Sequence, residues 1–328
     1  MLKYSKNYIE DKNMKIVILD GYPATRGEYT YDFLKKYGEV ICYPRTPYDL
    51  IAERAKEADI ILANKIVIDK PIFDKLPKLK LIAMLATGYN SIDIKTAKER
   101  GIYVCNIPKY SSPSVAQFTI ALLLEITNQV GLHNDSVKQG EWASCPDFCY
   151  NKTKQIELMD KTIGLIGYGD IAKQVAIISK AFGMKVLGYR RSGGIDDIAE
   201  MVSLDYLIAN SDIISLHCPL NAQSEKMINN ESIAKMKDNV IIINTARGGL
   251  VNEEDLAINL QNGKVLAYGG DVLTKEPPEK DNPLFACPNA FITPHLAWAT
   301  TEARGRLMEI MEQNISGFVN GKVINNVW

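Results

Sequence analysis

Charge of one sign is what this chain lacks first: 38 lysines and arginines stand against 39 aspartates and glutamates. Without a basic surplus no counterion release drives binding to nucleic acid, so a small neutral or anionic ligand is the expected partner. Long apolar runs are also missing. The longest, such as residues 118–124 and 240–243, fall far short of the ~20 needed to cross a bilayer, and no membrane segment is expected. Cysteine is sparse: the six in the chain have no paired CxxC spacing, which argues for reduced thiols and against a disulfide framework or a metal site. Residues 1–13 are polar and charged without an apolar h-region. They read as a disordered arm rather than a signal peptide, with Met14 an alternative start and the cytoplasm the expected compartment.

What is present is apolar content of 46% over 328 residues, enough for two cores. From Lys15 onward short β-branched runs alternate with amphipathic stretches: residues 16–19 then 31–36, 40–43 then 50–57, 60–63, and 81–86. A second series repeats the rhythm with strands expected at 162–166, 185–189, 212–216, 239–244, 265–269 and 290–293. Such βαβ alternation calls for parallel sheets covered by helices, so the fold class is α/β with two doubly wound domains. Pro113 opens a helical stretch over 114–131, where Val115, Phe118, Leu122 and Ile126 recur at helical spacing. Residues 301–318 carry another helical stripe that can return to the first domain and make it discontinuous. The expected division is 1–112 with 299–328 for one domain and 113–298 for the other. Residues 132–155 show no clear period and carry Trp142, Phe148 and Tyr150. They are expected to form an irregular segment that makes a protein contact.

Chemistry concentrates in the second series. Gly164-Leu165-Ile166-Gly167-Tyr168-Gly169-Asp170-Ile171-Ala172 holds G-x-G-x-x-A between an expected strand and an expected helix. Gly167 permits the tight turn, Gly169 lets backbone approach a pyrophosphate, and Ala172 allows close helix packing, with the phosphates on the helix N-terminus. Three later strands end in polar residues where an open α/β sheet places its ligand crevice. Arg247 follows one, Asp271 and then Glu276 another, and His295 the last. An arginine fork suits a carboxylate, a histidine can protonate a carbonyl oxygen as hydride arrives, and a neighbouring acid favours the imidazolium and fixes its orientation. Together they point to a 2-oxo acid as substrate. About 20 residues past the fingerprint an NAD enzyme places an acid for the ribose 2′-hydroxyl. Here Arg190-Arg191-Ser192-Gly193-Gly194 follows the strand, which favours NADP(H) through the 2′-phosphate, with NAD(H) also possible if the arginines are merely solvated. Asp196 and Asp197 are expected to belong to the next turn.

The same residues resemble the D-isomer-specific 2-hydroxyacid dehydrogenase family and, within it, the glycerate dehydrogenase/hydroxypyruvate (glyoxylate) reductase branch. The likeness runs from Met14 to the end through Lys15-Ile16-Val17-Ile18-Leu19-Asp20-Gly21-Tyr22, Leu85-Ala86-Thr87-Gly88-Tyr89-Asn90, Ser114-Val115-Ala116-Gln117 and Pro146-Asp147-Phe148-Cys149-Tyr150. It continues through the glycine fingerprint, His217-Cys218-Pro219-Leu220, Asn244-Thr245-Ala246-Arg247-Gly248 and Thr293-Pro294-His295-Leu296-Ala297-Trp298. The resemblance implies a Rossmann dinucleotide-binding domain inserted in a flavodoxin-like substrate domain that closes over the substrate, and a homodimer. By the same likeness Arg247 orients substrate, Glu276 partners the histidine and His295 is the acid/base. Thr87 and Gly88 would offer amides to the substrate carboxylate, and Asn64, Lys65 and Trp298 would face it. Gly167, Tyr168, Gly169, Asp170, Ile171, Arg190, Arg191, Ser192, His217, Cys218, Pro219, Thr245 and Ala246 would contact the cofactor, and Asp271 would hold its carboxamide. Other readings are a dehydrogenase of another D-2-hydroxy acid, such as D-lactate or phosphoglycerate, and a nucleotide-sensing protein of the same fold.

Overall fold

The computed structural model describes residues 14–328, and the expectation for residues 1–13 lies outside them. The described chain falls into two compact units. One runs to Ser111 and takes up again from Thr301 to Trp328; the other is Ser112–Thr300.

In the first unit β1 (Met14–Ile18), β2 (Gly38–Cys42), β3 (Ile60–Ala63), β4 (Leu81–Met84) and β5 (Tyr103–Cys105) form one parallel sheet in the order β2-β1-β3-β4-β5. That is the flavodoxin-like order. Ile16, Val17, Ile61 and Ile82 are fully buried. This is why the central strands read as unbroken apolar runs rather than as alternation. Between the strands lie short helices, α1 (Gly21–Thr25), α2 (Ile51–Ala55), α3 (Lys70–Phe73) and α4 (Ile94–Glu99). The side chains of Asp69 and Asp93 cap α3 and α4 by accepting amides three residues on. The C-terminal helix, Thr301–Val319, buries Leu307, Met311 and Ile315 and packs beside β4.

In the second unit β6 (Thr162–Ile166), β7 (Lys185–Tyr189), β8 (Glu200–Met201), β9 (Ile213–Leu216), β10 (Val240–Asn244), β11 (Val265–Gly270) and β12 (Ala290–Ile292) form a parallel sheet ordered β12-β11-β10-β9-β6-β7-β8. Counted from β6, this is the dinucleotide-binding order with one added edge strand, and it reverses between β6 and β9. Helices α5 (Ser112–Asn128), α6 (Val130–Lys138), α7 (Asp170–Ala181), α8 (Leu204–Asn210), α9 (Asn230–Ala234) and α10 (Glu253–Gln261) accompany it, and α5 packs on α7.

Two elements escaped the sequence pattern because they are too short to show a period: β5 has 3 residues and β8 has 2. The series expected to have six strands therefore has seven. A third departure is α6, which fills the beginning of a stretch expected to be irregular. Only Ser136 of that helix is buried, so no apolar stripe announces it. The segment expected as a helix over 31–36 is a 3-10 turn, Asp32–Lys36. Among the described residues no single helix is long and apolar enough to cross a membrane.

Candidate active site

His295 lies just beyond β12. Its Nδ1 is 2.7 Å from Glu276 Oε2, and Glu276 Oε1 accepts the Leu273 amide at 3.2 Å. The acid is thus anchored to the chain that follows β11 while it orients the imidazole. This leaves Nε2 as the ring nitrogen that can face a ligand, on a side chain that is 28% exposed. The backbone of His295 is left-handed, with φ of 54°. That region is uncommon outside glycine, costs of order 1 kcal/mol, and persists only where neighbours enforce it. Here the enforcer is Asp271, 1% exposed. Its Oδ1 accepts the Leu296 amide and the Thr293 hydroxyl, both at 2.7 Å, and its Oδ2 accepts the Ala297 amide at 2.8 Å. Burial raises the Asp271 pKa against these hydrogen bonds. Both Asp271 oxygens are engaged by the His295 loop, so the first work of this acid is to hold that loop. Trp298 follows directly and is half-buried.

Arg247 is exposed at the end of a turn that Asn244 ties together. The Asn244 side chain accepts the Ala246 amide at 3.0 Å and donates to Arg247 O at 2.9 Å, while its carbonyl accepts the Asp271 amide at 3.0 Å. Thr245 is buried, its hydroxyl 2.9 Å from that of Thr119. Gly248 lies so close to the next loop that a Cβ there would fall 1.9 Å from the Leu273 carbonyl carbon. Main chain therefore rests on main chain between the turn that carries Arg247 and the segment that carries Glu276.

The nucleotide side is built around β6. Gly167 has φ of +92°, and a Cβ on it would fall 2.4 Å from the Cys218 amide nitrogen, so only glycine fits between the fingerprint turn and the His217-Cys218-Pro219 loop. Gly169 differs. A Cβ there would meet nothing nearer than Gly167 O at 4.0 Å, so its bare backbone face is not required by the protein's own packing. That face opens on the N-terminus of α7, which has no side-chain cap and begins at Asp170 and Ile171. First-turn amides beside an open glycine face suit a pyrophosphate, and the residues present fit a dinucleotide. His217 Nε2 lies 2.9 Å from the Ser215 hydroxyl, and burial pushes its imidazole down to about 4, so it is neutral. After β7, Arg190 O accepts the Gly193 amide at 2.9 Å and closes a turn that exposes Arg191 and Ser192. Arg190 Nε donates to Gly193 O and Arg191 donates to Gln223 Oε1.

In the first unit, Asn64 and Lys65 follow β3. Their amides donate to the two oxygens of Asp20, at 2.8 Å each. Burial pushes Asp20 up to about 6. Asn64 is buried and Lys65 exposed. Thr87 is fixed by donating to Ile107 O at 2.7 Å and by receiving Asn106 Nδ2 at 2.8 Å. The amides of Thr87 and Gly88 have no hydrogen-bond partner among the described residues. Two organising residues, Asp20 and Asn244, carried no readable role in the sequence, because each acts on a partner set by the fold. Asn244 alone left a trace, as a polar residue ending an otherwise apolar strand.

The family model for the D-isomer-specific 2-hydroxyacid dehydrogenase NAD-binding domain matches residues 120–297. A hydroxypyruvate reductase of Blautia hydrogenotrophica is 46% identical over 320 residues, covering 96% of this chain and 99% of the relative. A glycerate dehydrogenase of Methylorubrum extorquens is 36% identical over 315 residues, 95% of this chain and 98% of its own. Among solved structures, an acyclic imino acid reductase in complex with NADPH and D-Arg superposes with a TM-score of 0.86 at 31% identity, over 96% of this chain and 100% of that one. This chain belongs to the family of D-isomer-specific 2-hydroxyacid dehydrogenases, oxidoreductases that work with a nicotinamide dinucleotide.

Proposed function

We propose that this protein reduces hydroxypyruvate and glyoxylate to D-glycerate and glycolate, reversibly, with NADPH preferred over NADH. The observation that carries the reading is the pairing of Glu276 with His295 Nδ1 at 2.7 Å, which leaves Nε2 to exchange a proton with the substrate oxygen. When bound, the nicotinamide supplies or accepts the hydride. For that transfer the planar fork of Arg247 suits a substrate carboxylate, and in the first unit the amides of Thr87 and Gly88, without a partner among the described residues, are donors that suit one too. Asn64 and Lys65 in the first unit, and Trp298 in the second, are each further candidate substrate contacts. Gly167, Tyr168, Gly169, Asp170 and Ile171 receive the pyrophosphate, while His217, Cys218, Pro219, Thr245 and Ala246 wall the nucleotide. The relatives named hydroxypyruvate reductase and glycerate dehydrogenase support the substrate.

Preference for NADPH rests on Arg190, Arg191 and Ser192 standing where an acid would meet a ribose 2′-hydroxyl. The NADPH-bound structural neighbour supports it. We place the enzyme in the cytoplasm, in keeping with six free thiols. A homodimer contact is proposed through residues 132–155, where Phe148 is 88% and Trp142 50% exposed. A panel of hydroxypyruvate, glyoxylate, pyruvate and phosphohydroxypyruvate with both reduced cofactors tests the whole. Hydroxypyruvate with NADPH should give the highest kcat/KM. A clear preference for pyruvate or phosphohydroxypyruvate would move the enzyme to another substrate class, and cofactor binding without turnover of any oxo acid would make it a sensor. Arg190→Asp should reverse the cofactor ratio; an unchanged ratio refutes the NADPH assignment. A monomer by light scattering at micromolar concentration refutes the dimer.

A further inference from the structure

Tyr168 stands between the two fingerprint glycines, a position whose side chain the dinucleotide motif leaves unspecified, yet it is only 2% exposed. Its ring passes beneath β7 at Gly188, where a Cβ would fall 2.9 Å from the ring edge. It emerges to donate its hydroxyl to Asp196 Oδ1 at 2.8 Å. The same oxygen accepts the amides of Ile198 at 3.0 Å and Ala199 at 3.3 Å, and Oδ2 faces Lys173 Nζ of α7 at 3.0 Å. One carboxylate therefore joins the fingerprint turn, the helix that opens on it, and the loop that leaves β7. Asp196 is also the first acid after Arg190 in the sequence. A free carboxylate in that loop would repel a 2′-phosphate and offer itself to a 2′-hydroxyl; this one is already taken.

We infer that Tyr168, Lys173 and Asp196 are positioning residues for cofactor discrimination, neutralising the loop's own acid and fixing the turn that presents Arg190, Arg191 and Ser192 to a 2′-phosphate. The inference rests on the reading that this turn binds that phosphate. It separates two effects. Lys173 cancels charge, and an unpaired carboxylate acts on a nearby phosphate through Coulomb repulsion that salt weakens. Tyr168 supplies position, since its hydroxyl is the link between the fingerprint and the loop.

Binding of 2′,5′-ADP and of 5′-AMP to the whole protein tests this by calorimetry, without turnover. The variants are Tyr168→Phe, Lys173→Met, Asp196→Asn, the double Lys173→Met/Asp196→Asn, and Arg190→Ala. Wild type should favour 2′,5′-ADP. Lys173→Met should weaken it about ten-fold, as for a lost charge-assisted bond, with 5′-AMP within about two-fold. Tyr168→Phe should act in the same direction by a smaller factor. Removing the charge in the double variant should restore most of the 2′,5′-ADP affinity, a rescue that a purely structural lysine would not give. Lys173 is half-exposed, so its variant carries the test even where Tyr168→Phe disturbs the core. Equal weakening of both ligands, no weakening, or no rescue overturns the proposal. Arg190→Ala judges the underlying reading by itself. If it lowers 2′,5′-ADP affinity while the Lys173 and Tyr168 variants leave it unmoved, the phosphate site stands and the discrimination device falls. If Arg190→Ala changes nothing, both fall.

Discussion

Asp196 and Asp271 are two shielded carboxylates of the same α/β unit, each accepting at least three hydrogen bonds, and they ionise in opposite directions. For Asp196 burial works against the charge, yet Lys173 and then the Tyr168 hydroxyl hold the carboxyl well below the usual carboxylate range. For Asp271 burial prevails over Thr293, the Ala297 and Leu296 amides and the attraction of His295, and its pKa is raised. Asp271 lies much the deeper of the two and sets only neutral donors and His295 against its desolvation, whereas Asp196 is held by a lysine as well as by neutral donors. The contrast separates two uses of an acid. Beside the loop after β7 a silent anion suits the proposed approach of a 2′-phosphate. Beside His295 an acid without a lysine leaves its field for the imidazole.

The sharpest way to break this comparison is to remove the imidazole whose loop Asp271 holds. His295→Gln should lower kcat by about 10²-fold or more, the scale of positioned proton transfer, with 2′,5′-ADP binding unchanged within about two-fold. Turnover near that of wild type would take the rim out of the mechanism. Next in size is Asp271→Asn. The amide keeps one acceptor where three donors converge, so about 2 kcal/mol of stability should go with it, and kcat should fall as His295 loses its anchor. Asp196→Asn should leave kcat unchanged in a parallel assay. If the two asparagine variants behave alike, the two acids do not have the separate uses drawn here.

The smallest effect concerns a third buried group. His217 titrates at about 4 in the folded chain against 6.5 for the free side chain. Between those values the unfolded chain binds a proton that the folded chain refuses, so stability falls as pH drops from about 6.5 towards 4. His217→Gln should flatten that part of the melting-temperature profile. If the slope from pH 6.5 to 4 is the same in the variant, His217 is not its source.

How much of this was legible beforehand depended on the range of the interaction. Strands β6 and β7 could be read to the residue because a buried parallel strand is mostly apolar, here through Ile163, Leu165 and Ile166 and through Val186 and Leu187, and that need is local. The fingerprint was readable for the same reason: Gly167 answers to a turn and to a neighbour that always stands there. Arg247, Glu276 and His295 could be expected on one rim because strand ends in a doubly wound sheet share one edge. The tie from Glu276 to His295 was inferable by chemistry, whereas Asp271 gripping the amides of Leu296 and Ala297 was not, since it depends on how β11 and β12 are registered. Asp196 was assigned to the next turn on sequence distance, and its attachment to Tyr168 across β7 is a contact no periodicity encodes. Helix α6 stayed hidden because a surface helix without an apolar stripe leaves only propensity to read.

Between the turn of Arg247 and the segment of Glu276 no side chain intervenes, because a Cβ on Gly248 would overlap the carbonyl of Leu273. Their spacing is therefore a property of two polypeptide backbones in contact, insensitive to rotamer changes on either one. Fluctuations that displace one should displace the other, so the amides of 247–250 and 273–276 should exchange with deuterium as a single cooperative block. Side-chain swaps at Arg247 or Glu276 can then retune the ligand while the frame stays put, whereas Gly248→Ala, the smallest change available, would prise both groups apart at once.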